Sequence, residues 1–321
     1  MTATKLVVWC NQSLGEEASG RLRSLLATHR LHWAPDGQTD PALLREADVA
    51  FGQPPVDALM GPHRLRLVQL TSAGYTTYDR QDLKASLAAR GVVMTKASWV
   101  YDEPCADHVL AFMLAAARAL PAAFCEQKGP RGWPTAPLRS RSFLLRDREV
   151  LLVGFGSIGR RLVERLAAFG ARVKAARRQP TGHEPVPTTA IGEPTFARWL
   201  AQAEHVVNLL PANASTLGFF DTGRFAAMKP GAHFYNVGRG STVETAALGQ
   251  ALQSGHLAAA YLDVTEPEPL PAGHALWTAP NCFITPHTAG GHDDEDLRLV
   301  ELLRLNIERI QNRQTVIDQV T

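Results

Sequence analysis

Short apolar runs alternate with longer segments whose apolar residues recur at helical spacing. The runs at Lys5–Trp9, Asp48–Phe51 and Leu67–Thr71 predict strands, and Glu16–Thr28 predicts a helix. Gly, Pro or Ser punctuation bounds each of them. Asp102–Leu120, rich in Ala and Leu, preceded by Trp99 and stopped by Pro121, predicts a long helix. The prolines and glycines of Gly129–Pro137 predict a loop. A second series opens with a strand at Arg148–Gly154. It continues with strands at Val173–Ala176, His205–Leu210, His233–Val237, Ala258–Val264 and Cys282–Thr285. A charged amphipathic helix, Asp294–Gln311, ends the pattern. Strands alternating with helices imply a parallel sheet covered on both faces. Two such series with a long helix between them imply an α/β protein of two doubly wound domains, divided near residue 100. The pattern leaves the final helix with either domain.

Composition narrows the partners. A length of 321 residues suits about two domains, and 45% hydrophobic residues suffice for two cores. A net charge of +2 points to no nucleic acid and no acidic membrane surface as partner. Cys10, Cys105, Cys125 and Cys282 form no CxxC pair and no zinc-spaced cluster with histidine, so no metal is expected. Scattered thiols suit a reducing compartment. The apolar run Leu6–Cys10 is a strand rather than a signal segment, and no stretch approaches the roughly 18–20 unbroken apolar residues of a membrane helix. These readings place the protein in the cytoplasm.

The segment LLVGFGSIGRRL sets Gly154, Gly156 and Gly159 in the pattern G-x-G-x-x-G, after the strand Val150–Val153 and at the opening of the helix Ser157–Phe169. That context gives the motif meaning as a dinucleotide loop. Gly154 would allow the tight turn, Gly156 would let backbone approach a pyrophosphate, and Gly159 would let helix and strand pack closely. The free N–H groups and dipole of the helix N-terminus then favour phosphate. The plainer alternative is a glycine turn. The next strand ends at Arg177-Arg178, where an NAD enzyme places an acid for the ribose 2′-hydroxyl; the first carboxylate beyond is Glu184. Guanidinium pairs with a 2′-phosphate that a carboxylate would repel. The expectation is NADP(H) preferred, with NAD(H) possible; a solvated pair of arginines would be the plainer explanation.

Three later segments, FYNVGRGSTVETAAL (Phe234–Leu248), AAAYLDVTEPEPLP (Ala258–Pro271) and FITPHTAGG (Phe283–Gly291), follow VGFGSIG in a telling order. LTSAGYTTYD (Leu70–Asp79), CADHVLAFMLAAAR (Cys105–Arg118) and the tail N-x-E-R (Asn306–Arg309) extend the likeness over nearly the whole chain. The set resembles the D-isomer-specific 2-hydroxyacid dehydrogenase family, and within it the glyoxylate/hydroxypyruvate reductases.

The resemblance implies a Rossmann-type cofactor domain (99–289) inserted in a flavodoxin-like substrate domain (1–98 and 290–321), with the active site in the cleft between them. It also implies a homodimer formed through the Asp102–Phe124 region. It assigns catalysis to Arg239 in N-V-G-R-G, Glu268 in D-V-T-E-P-E-P and His287 in T-P-H, with Glu266 the near competitor for the acid. The residue types suit the reaction. Histidine can give a proton to a carbonyl oxygen near neutral pH. A buried carboxylate beside it would orient the ring. Arginine can pair with a substrate carboxylate and polarise the carbonyl. Ala73 and Gly74 are expected to bind that carboxylate through backbone N–H groups, together with Arg239 and His287. Ser157, Ile158, Leu210, Pro211, Val237, Gly238, Asp263 and Gly290 are expected around the cofactor, with Asp263 either accepting from the carboxamide or bonding local backbone. His108 and His205 read as structural, and Phe51–Pro55 and Trp277 as pocket walls.

Two departures from the family pattern lie outside the catalytic set: Glu244 is followed by Thr245 where an acid pair is usual, and Ala106–His108 reads A-D-H rather than A-E-H. The implied activity is reduction of a small 2-oxo acid to its D-2-hydroxy acid. A formate-type enzyme on this scaffold would carry glutamine where Glu268 stands. The same scaffold also admits a phosphite-type dehydrogenase and a non-enzymatic dinucleotide sensor.

Overall fold

The computed structural model describes residues 5–320, which divide into two compact units. The described residues up to Tyr101, with those from Gly291 onward, make the first; Asp102–Gly290 make the second.

The first unit holds strands β1 (Val7–Cys10), β2 (Arg30–Trp33), β3 (Val49–Gly52), β4 (Leu67–Leu70) and β5 (Val93–Thr95). All pairings are parallel, in the order β2-β1-β3-β4-β5. This is the flavodoxin-like order, with its reversal between β1 and β3. Side chains alternate across the pleat. Val8, Cys10, Val49 and Phe51 face one core with Leu22, Val300 and Leu303. Trp9, Ala50, Val68 and Leu70 face the other with Leu83 and Leu87. Both faces are covered, which is why these strands read as apolar runs rather than alternating ones. The final helix, Glu295–Gln311, packs in the first of those cores through Leu299, Val300, Leu302 and Leu303. Its Asn306 is fully buried: Nδ2 donates to Gln69 Oε1 on β4 at 2.6 Å, and Oδ1 accepts the Ile317 N–H at 2.7 Å. The asparagine of the tail motif therefore pins this helix to the sheet.

The second unit holds β6 (Glu149–Val153), β7 (Arg172–Arg177), β8 (Thr188–Ala190), β9 (His205–Asn208), β10 (Ala232–Asn236), β11 (Leu257–Leu262) and β12 (Cys282–Ile284). They form one parallel sheet in the order β12-β11-β10-β9-β6-β7-β8. The order reverses between β6 and β9, the doubly wound arrangement of dinucleotide-binding domains. An aliphatic and phenylalanine core centred on Phe220, Phe225 and Phe234 covers one face. A row of rings that includes His205, His233, Tyr235, Tyr261 and Phe283 covers part of the other.

Two local expectations are corrected. Pro121 stops nothing: the long helix runs Ser98–Ala117, Ala119 turns the chain at φ +50°, and a new helix, Leu120–Lys128, carries Pro121 in its first turn. Proline is tolerated there because the first N–H groups of a helix have no intrahelical partner. Likewise Gly129–Pro137 is not loop throughout, since the helix Thr135–Arg141 begins inside it. Among the described residues no single helix is long and apolar enough to cross a membrane.

Candidate active site

The glycine motif forms the turn from β6 into the helix Ser157–Ala167. Gly154 has φ +95°, and a Cβ there would lie 2.8 Å from the Leu209 carbonyl carbon, so only glycine fits both the turn and the neighbouring loop. A Cβ on Gly159 would meet the Phe155 ring at 2.9 Å. Gly156 differs: a Cβ there would meet nothing within 4 Å. Space above an exposed helix N-terminus, with Ser157 and Ile158 half-buried in its first turn, fits a pyrophosphate.

Leu209, which crowds Gly154, follows β9, and the loops after β9 and β10 are locked together by a buried polar network. Asn208 Nδ2 donates to Asn236 Oδ1 at 3.0 Å and to Thr242 Oγ1 at 2.7 Å. Its Oδ1 accepts the Leu210 N–H at 3.1 Å, and Asn236 Oδ1 accepts the Gly238 N–H at 3.0 Å. Thr242 Oγ1 and Asn236 Nδ2 both donate to the Arg239 carbonyl, at 2.6 and 3.2 Å. Asn208, Asn236 and Thr242 are buried, so each unmade bond here would cost about 1–3 kcal/mol. A Cβ on Gly238 would meet the Leu210 oxygen at 2.7 Å, which brings Leu210, Val237 and Gly238 to one place. Pro211 is exposed beside them.

Arg239 leaves this network at the carboxyl end of β10, half-buried, with Nη1 donating to the Gly238 carbonyl at 2.6 Å. The next residue shows how closely its loop meets the loop after β11. A Cβ on Gly240 would lie 1.8 Å from the Thr265 oxygen and 2.7 Å from the Glu266 nitrogen. That second loop carries Glu268. Its Oε1 accepts the Thr265 N–H at 2.9 Å, and its Oε2 lies 2.8 Å from His287 Nδ1. Glu266, the competitor, is exposed and has no side-chain bond to His287.

A carboxylate only accepts, so the Glu268 contact places the proton of a neutral His287 on Nδ1 and leaves Nε2 as the atom that exchanges protons. Neither partner is sequestered: the Glu268 side chain is 37% exposed and that of His287 54%. The expectation of a buried carboxylate is thereby corrected. Pro267, Glu268 and Pro269 form an exposed stretch of the loop between the buried Val264 and Leu270, which packs on the core.

The backbone under His287 is held by Asp263. His287 has φ +54°, a region unfavourable for most side chains. Its N–H donates to the carbonyls of Asp263 at 2.8 Å and Thr285 at 3.0 Å. The buried Asp263 carboxylate accepts the Thr288 N–H at 2.8 Å, the Ala289 N–H at 3.0 Å and the Thr285 hydroxyl at 2.7 Å. Of the two roles open to Asp263, bonding to local backbone is the one these contacts display. His108 Nε2 reaches the same Thr285 hydroxyl at 3.0 Å, and burial lowers the imidazole's pKa against the pull of Asp263. Gly290 follows Ala289, half-buried.

At the far end of β7, Arg177 Nη1 lies 3.1 Å from Glu184 Oε1, while Arg178 is exposed. Trp277 is half-exposed, with Nε1 donating to the Pro271 carbonyl. In the first unit, Ala73 and Gly74 follow β4, beside a hydrogen bond from Ser72 Oγ to the Gly74 carbonyl at 2.6 Å. Among the described residues the N–H groups of Ala73 and Gly74 donate to nothing. Gln53, in the Phe51–Pro55 segment, reaches Thr71 Oγ1 and Ser72 Oγ, each at 3.2 Å.

A model of the D-isomer specific 2-hydroxyacid dehydrogenase NAD binding domain matches residues 110–289, more than half of the sequence. The chain belongs to this family. It is thus an oxidoreductase, an NAD(P)-dependent 2-hydroxyacid dehydrogenase that uses a nicotinamide dinucleotide. Glyoxylate reductase/hydroxypyruvate reductase from Mus musculus is 35% identical over 225 residues, 70% of this chain and 67% of that one. A D-isomer specific 2-hydroxyacid dehydrogenase from Xanthobacter autotrophicus Py2, solved with NADPH and MES, is 29% identical with a TM-score of 0.78, covering 99% of this chain and 98% of that one. An NADPH-dependent glyoxylate/hydroxypyruvate reductase from Sinorhizobium meliloti, solved with NADP and malonate, is 27% identical with a TM-score of 0.73, covering 99% and 97%.

Several residues that shape the candidate site carry no titratable group and do not stand out in the sequence: Asn208, Asn236, Thr242, Gly240 and Thr285. A usable signal exists for two of them. Asn208 and Asn236 each end an apolar strand, where a polar residue that stays buried must bond to a neighbouring loop.

Proposed function

We propose that this dehydrogenase reduces a small 2-oxo acid of the glyoxylate or hydroxypyruvate type to the D-2-hydroxy acid, with NADPH preferred over NADH. The observation that carries the reading is the Glu268–His287 hydrogen bond beside the Arg239 loop. It is supported by the reductases among the relatives.

In this reading Arg239 pairs with the substrate carboxylate, and its charge favours the negative charge that develops on the carbonyl oxygen. The N–H groups of Ala73 and Gly74 hold the same carboxylate. His287 gives that oxygen a proton from Nε2, and Glu268 keeps the ring in register. When bound, the reduced nicotinamide supplies the hydride. Gly154, Gly156, Ser157, Ile158 and Gly159 seat the pyrophosphate. Leu210, Pro211, Val237, Gly238, Asp263 and Gly290 border the dinucleotide, and Arg177 and Arg178 meet a 2′-phosphate. A formate-type reaction needs no proton donor, and the bond between Glu268 and His287 speaks for a reaction that does.

The four free cysteines suit a cytoplasmic setting. A homodimer belongs to the same reading, supported by the exposed apolar side chains of Leu120, Phe124, Trp133 and Leu144. Light scattering on purified protein would return twice the 34.9 kDa chain mass if so. The deciding assay is NADPH and NADH oxidation across a panel of 2-oxo acids. Glyoxylate or hydroxypyruvate should turn over fastest, with a higher kcat/KM for NADPH. No turnover on any 2-oxo acid would overturn the proposed substrate class.

A further inference from the structure

The turn after β7 is organised around one carboxylate. Glu184 Oε1 accepts the Thr181 N–H at 2.7 Å and the Thr181 hydroxyl at 2.9 Å. It also accepts Arg177 Nη1 at 3.1 Å, while Oε2 accepts the Gly182 N–H at 3.0 Å. The Glu184 side chain is only 3% exposed. The Thr181 N–H, followed by the Thr181 hydroxyl and further backbone N–H groups, pulls its carboxyl down to about 2. The group is therefore an anion at every working pH. The Arg177 guanidinium has one hydrogen-bonding partner among the described residues, leaving Nε and Nη2 as a two-pronged edge of its plane.

Sequence alone sets Arg177 apart from the acid of an NAD enzyme; the fold brings an acid back to its side. We propose that Glu184 is a specificity-determining counter-ion: it holds Arg177 in place when no 2′-phosphate is present, and its charge weakens the grip on a 2′-phosphate, so that NAD(H) is accepted alongside NADP(H). This inference rests on the reading that a 2′-phosphate docks at Arg177. The two effects of the residue are separable. Holding the guanidinium at Nη1 needs only the acceptor oxygen at the Oε1 position, which glutamine retains while giving up the Gly182 N–H bond at the other. Opposing a dianionic phosphate needs the charge, which glutamine lacks.

The test is binding of 2′,5′-ADP and 5′-ADP, measured by titration calorimetry on the wild type, Glu184→Gln, Arg177→Gln and Thr181→Val. Glu184→Gln is expected to bind 2′,5′-ADP about three- to tenfold more tightly, as removal of a nearby like charge at a partly screened site predicts. Its affinity for 5′-ADP is expected to stay unchanged, and its 2′,5′-ADP affinity to fall more steeply with salt. Thr181→Val removes the two bonds of its hydroxyl, to Glu184 and from the His183 N–H, without changing charge and should leave the ratio of the two affinities unaltered. Arg177→Gln should bring 2′,5′-ADP down toward 5′-ADP. If Arg177→Gln leaves 2′,5′-ADP binding untouched, the docking reading fails. If it weakens binding while Glu184→Gln binds 2′,5′-ADP equally or less tightly, docking stands and the counter-ion role is overturned. An equal gain in Thr181→Val would also overturn it, by tracing the effect to a loosened turn.

Discussion

His287 Nδ1 sits 2.8 Å from Glu268 Oε2, while the other oxygen of that carboxylate holds the Thr265 N–H at 2.9 Å. Glu268 is thereby fixed to its own loop before it fixes the imidazole, and Nε2 has no hydrogen-bond partner among the described residues. His287→Asn is expected to lower turnover of the 2-oxo acid by about 100-fold or more, the usual contribution of a positioned proton donor. Dinucleotide affinity should be unchanged, because the proposed role of His287 is toward the substrate oxygen and not toward the dinucleotide. Glu268→Gln should cost less. Steady-state kinetics with parallel fluorescence titration of NADPH checks both, and near-normal turnover in His287→Asn would remove it as the donor.

Gly240 allows the Arg239 loop to touch the Glu268 loop. A Cβ at this position would meet the Thr265 oxygen at 1.8 Å and the Thr265 carbonyl carbon at 2.0 Å, both backbone atoms that no side-chain rotation can move away. Gly240→Ala is therefore expected to separate the two loops. The overpacking should cost about 1–3 kcal/mol, and substrate KM should rise as Arg239 loses its setting. Urea unfolding followed by kinetics on the surviving native protein would test this. Wild-type stability and KM together would show that the loops are not in contact.

The fold was legible where strands are buried on both faces. The VVWC, VAFG, EVLLV and HVVN runs announce themselves because helices cover both sides of each sheet. Three strands gave no such signal: Arg30–Trp33, Val93–Thr95 and Thr188–Ala190. All three lie at sheet edges, where pairing on one side alone demands no long apolar run. The site divides similarly. Arg239, Glu268 and His287 stand in segments recognisable by their residue types and their order along the chain. Gly240 acts through backbone proximity and Asn208 through side-chain bonds to the neighbouring strand and loop; which partners they meet depends on strand order, which neither segment records.

Asp263 bears on His287 through the chain rather than through the ring. Its carboxylate takes two successive N–H groups and a hydroxyl from the Thr285–Ala289 loop, offsetting the unfavourable φ of His287. Asp263→Asn turns one accepting oxygen into a donor facing donors. Stability is expected to fall by about 1–3 kcal/mol, because buried N–H groups lose their partner. Turnover should fall with it, as His287 is no longer held. Glu268→Gln, by contrast, should lower turnover with little change in Tm, since Glu268 is partly exposed. Equal Tm values for Asp263→Asn and the wild type would refute the loop-holding role.

Acid should unfold this protein through two histidines that take no part in the proposed reaction. The His205 and His233 rings stack at 5.2 Å across β9 and β10, and His205 Nδ1 shares a 2.9 Å hydrogen bond with the Tyr235 hydroxyl. Burial, with the neighbouring His233 adding to it, pushes His205 down to about 3; burial, aided by Arg148, pushes His233 down to about 4. Glu204 pulls the other way on both, less strongly than burial. Both rings are therefore neutral in the fold, whereas in the unfolded chain they protonate below about 6.5. The sign follows: their contribution is intact above pH 6.5 and is lost as pH falls toward 4. Each histidine removes up to about 1.4 kcal/mol per pH unit over that window. His205→Asn, which keeps a hydrogen-bonding group for Tyr235, is expected to be less stable at pH 7.5 yet to lose stability more slowly on acidification. Chemical unfolding from pH 7.5 to 4.5 reads the slope directly, and equal slopes for variant and wild type would mean that acid acts elsewhere in the molecule.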